Sequence, residues 1–202
     1  MRIYLHRHGD TRFLENRVPR TDENEGQWRD LLSTRGLVEM DALGRELARH
    51  RPFDLYVTSP LPRTVQSACL VRARLGDVFM VAEPAFREVD DAPPVVWLRM
   101  TAALRRIMAG PYRSVLISTH GSIVHGLALF LRGCPGDTYN YDVCPRTGGY
   151  SWAEVDANGR LRDACWDYTD HLSRLDAALP PRGDQGIGTV IDAPRTPVGT
   201  DR

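Results

Sequence analysis

Arg2-Ile3-Tyr4-Leu5-His6-Arg7-His8-Gly9-Asp10-Thr11 is the stretch on which the fold turns. A short β-rich run delivers an arginine and a histidine, and Gly9-Asp10-Thr11 then breaks it. The continuous apolar run from Val115 to Ser118 does the same with Thr119-His120-Gly121, as expected of a strand buried on both faces. Histidines at the exits of buried strands stand where an open α/β sheet places its chemistry. A third strand, predicted over residues 54 to 58, is followed by Arg63. Two imidazoles and two guanidiniums at strand ends make a compact basic pocket suited to a dianion such as a phosphate group.

The chain between these points alternates strand and helix. From Thr34, expected as an N-cap, Leu37, Met40, Leu43 and Leu47 recur at helical spacing until Pro52. Ser59-Pro60 is predicted to start a second helix with Pro62 still in its first turn, and Val65, Ala68, Cys69, Val71 and Leu75 as its buried face. Strand 78 to 82, helix 95 to 109 and helix 122 to 132 follow. In helix 95 to 109, Arg99, Arg105 and Arg106 read as a solvated face. Residues 150 to 155 and 160 to 166 flank Asp156-Ala157-Asn158-Gly159, whose Asn-Gly signals a hairpin. The expected fold is therefore α/β: a three-layer sandwich with a mostly parallel central sheet, helices on both faces and a C-terminal antiparallel hairpin. One catalytic domain is expected over residues 1–178, followed by a Pro/Gly-rich flexible tail over 179–202. Residues 12 to 33 read as a long functional loop, and residues 86 to 97, stiffened by Pro93-Pro94, as a second wall of the site.

Composition narrows the classes. The chain has 202 residues, 42% apolar and 26% charged, the balance of an ordinary globular protein. Arg plus Lys equals Asp plus Glu at 26 each, so no bulk field favours nucleic acid or an anionic membrane. All 26 basic residues are arginine, which removes lysine Schiff-base and P-loop chemistry. Cys69, Cys134, Cys144 and Cys165 show no metal or disulfide spacing and read as thiols of a reducing compartment. With no leader-like segment ahead of the first strand and no apolar stretch near the roughly 20 residues a span needs, a cytoplasmic location is expected. No metal or cofactor motif occurs, so metal-independent chemistry without a cofactor is expected.

Five ordered blocks carry a resemblance: Arg7-His8-Gly9-Asp10-Thr11, Leu32-Ser33-Thr34-Arg35-Gly36, residues 58 to 68 with Arg63, Phe86-Arg87-Glu88-Val89, and Ser118-Thr119-His120-Gly121. Together they resemble the histidine phosphatase superfamily, the phosphoglycerate mutase-like proteins. The resemblance implies His8 as a nucleophile that forms a phosphohistidine. It implies Arg7, Arg63 and His120 as the clamp on the phosphoryl oxygens, with Thr11 adding a hydroxyl and Gly121 a backbone N–H. Glu88 aligns with the family's general acid, and Asp90 and Asp91 share its short loop as rivals. A neutral imidazole attacks, so one ring nitrogen should be held as a donor by a nearby acceptor. His6, His50, His125 and His171 read as packing or surface residues.

The resemblance leaves a choice of activity. Mutases of this kind carry a long insertion between acid and second histidine, whereas Glu88 and His120 stand 32 positions apart here. The tryptophan-asparagine pair expected after Thr11 is replaced by Phe13-Leu14. The short spacing favours hydrolysis, and the second departure means the family's sugar-phosphate contacts do not carry over to this loop. The expected activity is hydrolysis of a small phosphorylated molecule, ahead of a phosphohistidine protein phosphatase and, more distantly, a mutase or a non-catalytic phosphate-binding module. A homodimer stays open.

Overall fold

The computed structural model describes residues 1–12, 30–88 and 91–178. Most of the 12 to 33 loop, the rival acid Asp90 and the 179–202 tail lie outside the described residues.

Strand β1 (Arg2–Arg7) sits inside a six-stranded sheet, paired in parallel with β4 (Ser114–Thr119) and antiparallel with β5 (Tyr150–Val155). Strand β2 (Leu55–Thr58) pairs in parallel with β4, and β3 (Met80–Ala82) closes that edge. Strand β6 (Leu161–Tyr168) closes the other edge, giving the order β3-β2-β4-β1-β5-β6. The sheet is thus parallel across four strands, with the antiparallel hairpin at its end. Gly159, at φ +75°, turns that hairpin, and Asp156 Oδ1 accepts from the Asn158 and Arg160 N–H groups at 2.9 Å.

Alternation along β1 divides the core. Ile3 and Leu5 face the cluster built on α3 (Pro93–Met108) and α4 (Gly121–Leu131), with Val96, Met100, Leu104, Ile123 and Leu127. Tyr4 faces the cluster built on α1 (Thr34–Leu47) and α2 (Pro62–Leu75), with Met40, Leu43, Ala68 and Val71. A strand covered on both sides needs apolar residues at successive positions, which is why Ile3-Tyr4-Leu5 shows no polar alternation. A short helix, α5 (Ser173–Ala178), ends the described chain. Among the described residues no helix is long and apolar enough to cross a membrane.

Several expected boundaries move, each for a local reason. Ser33, not Thr34, caps α1: its Oγ accepts from Gly36 N–H at 3.1 Å and donates to Asp10 Oδ2 at 2.6 Å. Leu37 lies outside the core face at 38% exposure. Helix α2 starts at Pro62 rather than Pro60, because a residue before proline is pushed into extended conformation and Leu61 adopts φ −70°, ψ 140°. Its buried face is rotated from the expected one: Cys69 is exposed, while Arg63, Thr64 and Ser67 are buried. Pro93 and Pro94 do not stiffen a loop; they form the first turn of α3, where a missing N–H has no helical partner to lose.

Candidate active site

Four neighbouring parallel strands each deliver one part of the site, and their order in the sheet is its order in space. Strand β1 ends at Arg7 in register with Thr119 of β4, so His8 and His120 leave adjacent strands side by side, their ring centroids 5.4 Å apart. The His8 N–H donates to Thr119 O at 3.0 Å, which locks the two exits together. Beyond β4 lies β2, followed by Ser59 and then Arg63 in the first turn of α2. Beyond β2 lies β3, followed by the turn Pro84–Phe86 and then Glu88.

The two histidines are held differently. His8 Nδ1 meets Gly9 O at 2.8 Å. A carbonyl only accepts, so Nδ1 carries the proton and Nε2 keeps its lone pair. His120 Nε2 meets Ser59 Oγ at 2.9 Å, while its Nδ1 faces Arg63 Nη2 at 3.3 Å and Glu88 Oε2 at 3.3 Å. An unprotonated Nδ1 accepts from the guanidinium and a protonated one donates to the carboxylate.

Arg63 is 1% exposed, and its Nη2 donates to Glu88 Oε2. A buried guanidinium is costly without a partner, and this carboxylate supplies one. Arg7 donates from Nη1 to Pro145 O at 2.9 Å. Gly121 opens α4 beside it: a Cβ there would stand 2.9 Å from Cys144 Sγ and 3.2 Å from Arg7 Nε. The first N–H groups of a helix lack partners within it, so this end favours an anion.

Electrostatics follow the burial. Burial pushes His8 well below an ordinary histidine, and the charges of Arg63 and Arg7 push in the same direction. Burial likewise lowers His120 to about 4, against the opposing pull of Glu88. For Glu88, burial pushes upward, but His120 and Arg63 outweigh it and hold the carboxyl well below the usual carboxylate range. The permanently charged guanidinium decides that direction. At neutral pH the site holds two neutral imidazoles, one carboxylate and two guanidiniums. His8, Glu88 and His120 offer donor atoms all within 4.8 Å of one another, a set that could hold a metal ion. A divalent cation there would have to displace Arg63 from the same carboxylate oxygen that it holds.

Residues 3–91 match the histidine phosphatase superfamily (branch 1), a span that opens at β1 and closes just past Glu88. Over that span the chain is similar to the histidine phosphatase superfamily. Among curated proteins none matches by sequence. Solved structures share the fold. The α-ribazole phosphatase of Shigella flexneri is 19% identical with a TM-score of 0.63, over 80% of this chain and 93% of its own. A mycobacterial glucosyl-3-phosphoglycerate phosphatase in complex with VO3 is 17% identical with a TM-score of 0.66, over 83% and 99%. A protein assigned as a phosphohistidine phosphatase in Agrobacterium tumefaciens is 19% identical with a TM-score of 0.56, over 81% and 96%.

The structure brings Arg63, Glu88 and His120 into mutual contact, sets the His8 ring edge-on against His120, and places Arg7 and Gly121 beside each other. Thr11 is buried and forms an antiparallel bridge with Leu32, three residues after His8. Asp91 is exposed, and its carbonyl accepts from Tyr141 Oη at 2.5 Å. His6 lies one position short of the site, buried, with Nδ1 on Arg7 O at 3.1 Å and Nε2 on Tyr56 Oη at 2.7 Å. His171 bonds Gly148 O at 2.9 Å, and His50 packs against Tyr4 and Tyr150.

The sequence reading missed the scaffold beneath these groups. Gly9 and Gly36 meet backbone to backbone: a Cβ on Gly36 would stand 2.0 Å from Asp10 O, and one on Gly9 2.6 Å from Gly36 O. Asp10 N–H donates to the buried Glu39 at 2.9 Å, and Ser67 Oγ accepts from Gly9 N–H at 3.2 Å. Ser59, read as a helix cap, instead partners His120. Arg99 corrects the expected solvated face most clearly, for it donates to the carbonyls of Ala85, Arg87 and Glu88.

Proposed function

We propose that this protein is a metal-independent phosphatase that hydrolyses a small-molecule phosphate monoester through a phosphohistidine on His8. The observation that carries the reading is the Gly9 carbonyl on His8 Nδ1, which leaves a neutral ring with a nucleophilic Nε2 among the pocket's guanidiniums. In the first step Nε2 forms the N–P bond as the P–O bond to the leaving group breaks. Arg7, Arg63, His120 and the Gly121 N–H hold the equatorial oxygens, with Thr11 as a further hydroxyl. Each such preorganised donor is worth roughly 3 to 4 kcal/mol in a transition state. In the second step water attacks phosphorus, the N–P bond breaks, and inorganic phosphate leaves a neutral His8.

Glu88 supplies the leaving oxygen with its proton and takes one back from the attacking water. In the empty site its carboxylate rests on Arg63 and is held ionised. A substrate dianion competes for Arg63 and His120, strips Glu88 of its counter-charges and sets a like charge beside it. Both changes raise the carboxyl toward the protonated form that a general acid needs. Arg63 and Arg7 supply the positive charge that a metal would otherwise bring, so turnover should survive excess chelator.

Hydrolysis rather than mutase chemistry is supported by how the 32 positions between Glu88 and His120 are used. Helix α3 and strand β4 occupy most of them, which leaves little chain to enclose a reorienting bisphosphate. The small-molecule substrates in the names of two structural neighbours point the same way. The neighbour assigned as a phosphohistidine phosphatase supports a second reading, phosphohistidine hydrolysis on a protein. A phosphoramidate nitrogen leaves readily and needs little acid assistance. Glu88→Gln separates the two: a loss on the order of 100-fold or more on phosphate esters supports the monoesterase. Little loss on esters with efficient turnover of a phosphohistidine protein supports the second reading.

A further inference from the structure

We propose that Arg99 is a positioning residue for Glu88: one guanidinium holds the backbone that carries the acid in the register its side chain needs to reach the leaving oxygen. The inference rests on the reading of Glu88 as general acid. Glu88 belongs to no helix or strand, following the single turn Pro84–Phe86 and preceding α3. Nothing in regular secondary structure fixes where its carboxylate points. Four consecutive carbonyls of this segment are nevertheless each held from another element. Arg99 Nη1 donates to Ala85 O at 2.8 Å and Arg87 O at 3.2 Å, and its Nη2 donates to Glu88 O at 3.0 Å. The fourth carbonyl, Phe86 O, accepts from Thr119 Oγ1 at 2.7 Å, one residue before His120.

The fork geometry matters. Arginine presents several donors in one rigid plane, so a single side chain can satisfy three carbonyls that diverge along a loop. Lysine carries the same charge on a flexible stem and cannot reproduce that spread. Arg99 sits two turns into α3 between the exposed Val95 and Leu98 on one side and the buried Val96 and Met100 on the other. Its guanidinium reaches back along the helix, the direction in which helical side chains lean. The role is indirect, since each Arg99 bond described above goes to a backbone oxygen of the segment and none to nucleophile or clamp.

A positioning defect differs from general damage in its dependence on the leaving group. Phenyl phosphate needs its leaving oxygen protonated, whereas dinitrophenyl phosphate expels a stable anion and does not. We would measure kcat/KM on both esters for wild type, Glu88→Gln, Arg99→Met and Arg99→Lys, with thermal melts alongside. This parameter covers steps only through transfer to His8, so the later water attack does not enter it. Arg99→Met should lose on the order of tenfold to 100-fold on phenyl phosphate, part of the full general-acid contribution, and less than about threefold on dinitrophenyl phosphate. Arg99→Lys, which keeps charge and solubility if the methionine variant fails to fold, should show the same selectivity in weaker form. Equal losses on both esters, or none, in folded variants while Glu88→Gln remains selective would overturn the role of Arg99 and leave the acid assignment standing. A Glu88→Gln variant without selectivity would bring down the acid assignment, and the inference with it.

Discussion

His8 and His120 leave neighbouring parallel strands side by side, yet the protein holds them by opposite means. One nitrogen of His8 is pinned by a backbone carbonyl of the next residue, a partner that no side-chain exchange removes. Both nitrogens of His120 meet side chains, namely Ser59 on one edge and Arg63 with Glu88 on the other. A ring fixed by backbone has one tautomer, which suits His8 to the nucleophile's part proposed for it. A ring among side chains can shift its proton as the charge of the pocket changes. One motif, His-Gly after a buried strand, is thus set in two different hydrogen-bonding environments.

The largest test of that contrast is removal of the nucleophile. His8→Ala should lower hydrolysis of an aryl phosphate in excess chelator by on the order of 10⁶-fold, the scale seen when a covalent nucleophile is lost. A variant that kept even a hundredth of the activity would place the bond-forming group elsewhere. Arg63→Met comes next. It removes one phosphate clamp and unpairs Glu88, so turnover should fall roughly 100-fold to 1,000-fold, measured as kcat/KM on the same ester.

Ser59→Ala sharpens the comparison at smaller amplitude. It strips His120 Nε2 of its partner without touching His8, and a lost hydrogen bond of this kind is worth on the order of 1 kcal/mol, or about fivefold in turnover. Its signature is a changed pH profile, because His120 Nε2 loses the hydroxyl that can either donate to it or accept from it as the ring's proton shifts. An unchanged profile would show that the two rings are equivalent in this respect.

Stability against pH gives the gentlest test. Buried His6 and His120 are lowered to about 4, so the folded state holds them neutral while unfolded histidines near 6.5 accept protons first. Unfolding therefore takes up protons, and stability rises with pH across that window. The histidine contribution is full above about pH 6.5 and is lost as pH falls toward 4. Urea midpoints between those limits should follow that slope, and His120→Gln should flatten it. A flat wild-type curve would contradict the neutral, buried state.

What could be read from the sequence follows from what each residue's neighbours in the chain reveal. Strands β1 and β4 announce themselves as apolar runs, and the groups they deliver sit at their ends, so Arg7, His8 and His120 were visible without coordinates. Glu88 was visible only through a block match, since its loop has no period of its own. The partners were hidden because each lies far along the chain from the group it serves. Ser59 is 61 positions from His120, and Gly36 meets a turn that precedes it by 26. Ser59-Pro60 looked like a helix start because capping statistics favour serine there, but its hydroxyl serves a tertiary contact and the helix begins at Pro62. Arg99 looked solvated because its spacing puts it off the apolar stripe. Pattern alone does not distinguish water from three carbonyls as the partner of a guanidinium.

The central claim is a covalent phosphohistidine on one ring and not the other. The direct measurement is rapid acid-free quenching during turnover, followed by peptide mass spectrometry for phosphoryl groups on histidine. A transient phosphoryl group on His8, absent from the His8→Ala protein and never found on His120, is the predicted result. Turnover without any label on His8, or a label that appears on His120 instead, would contradict the account.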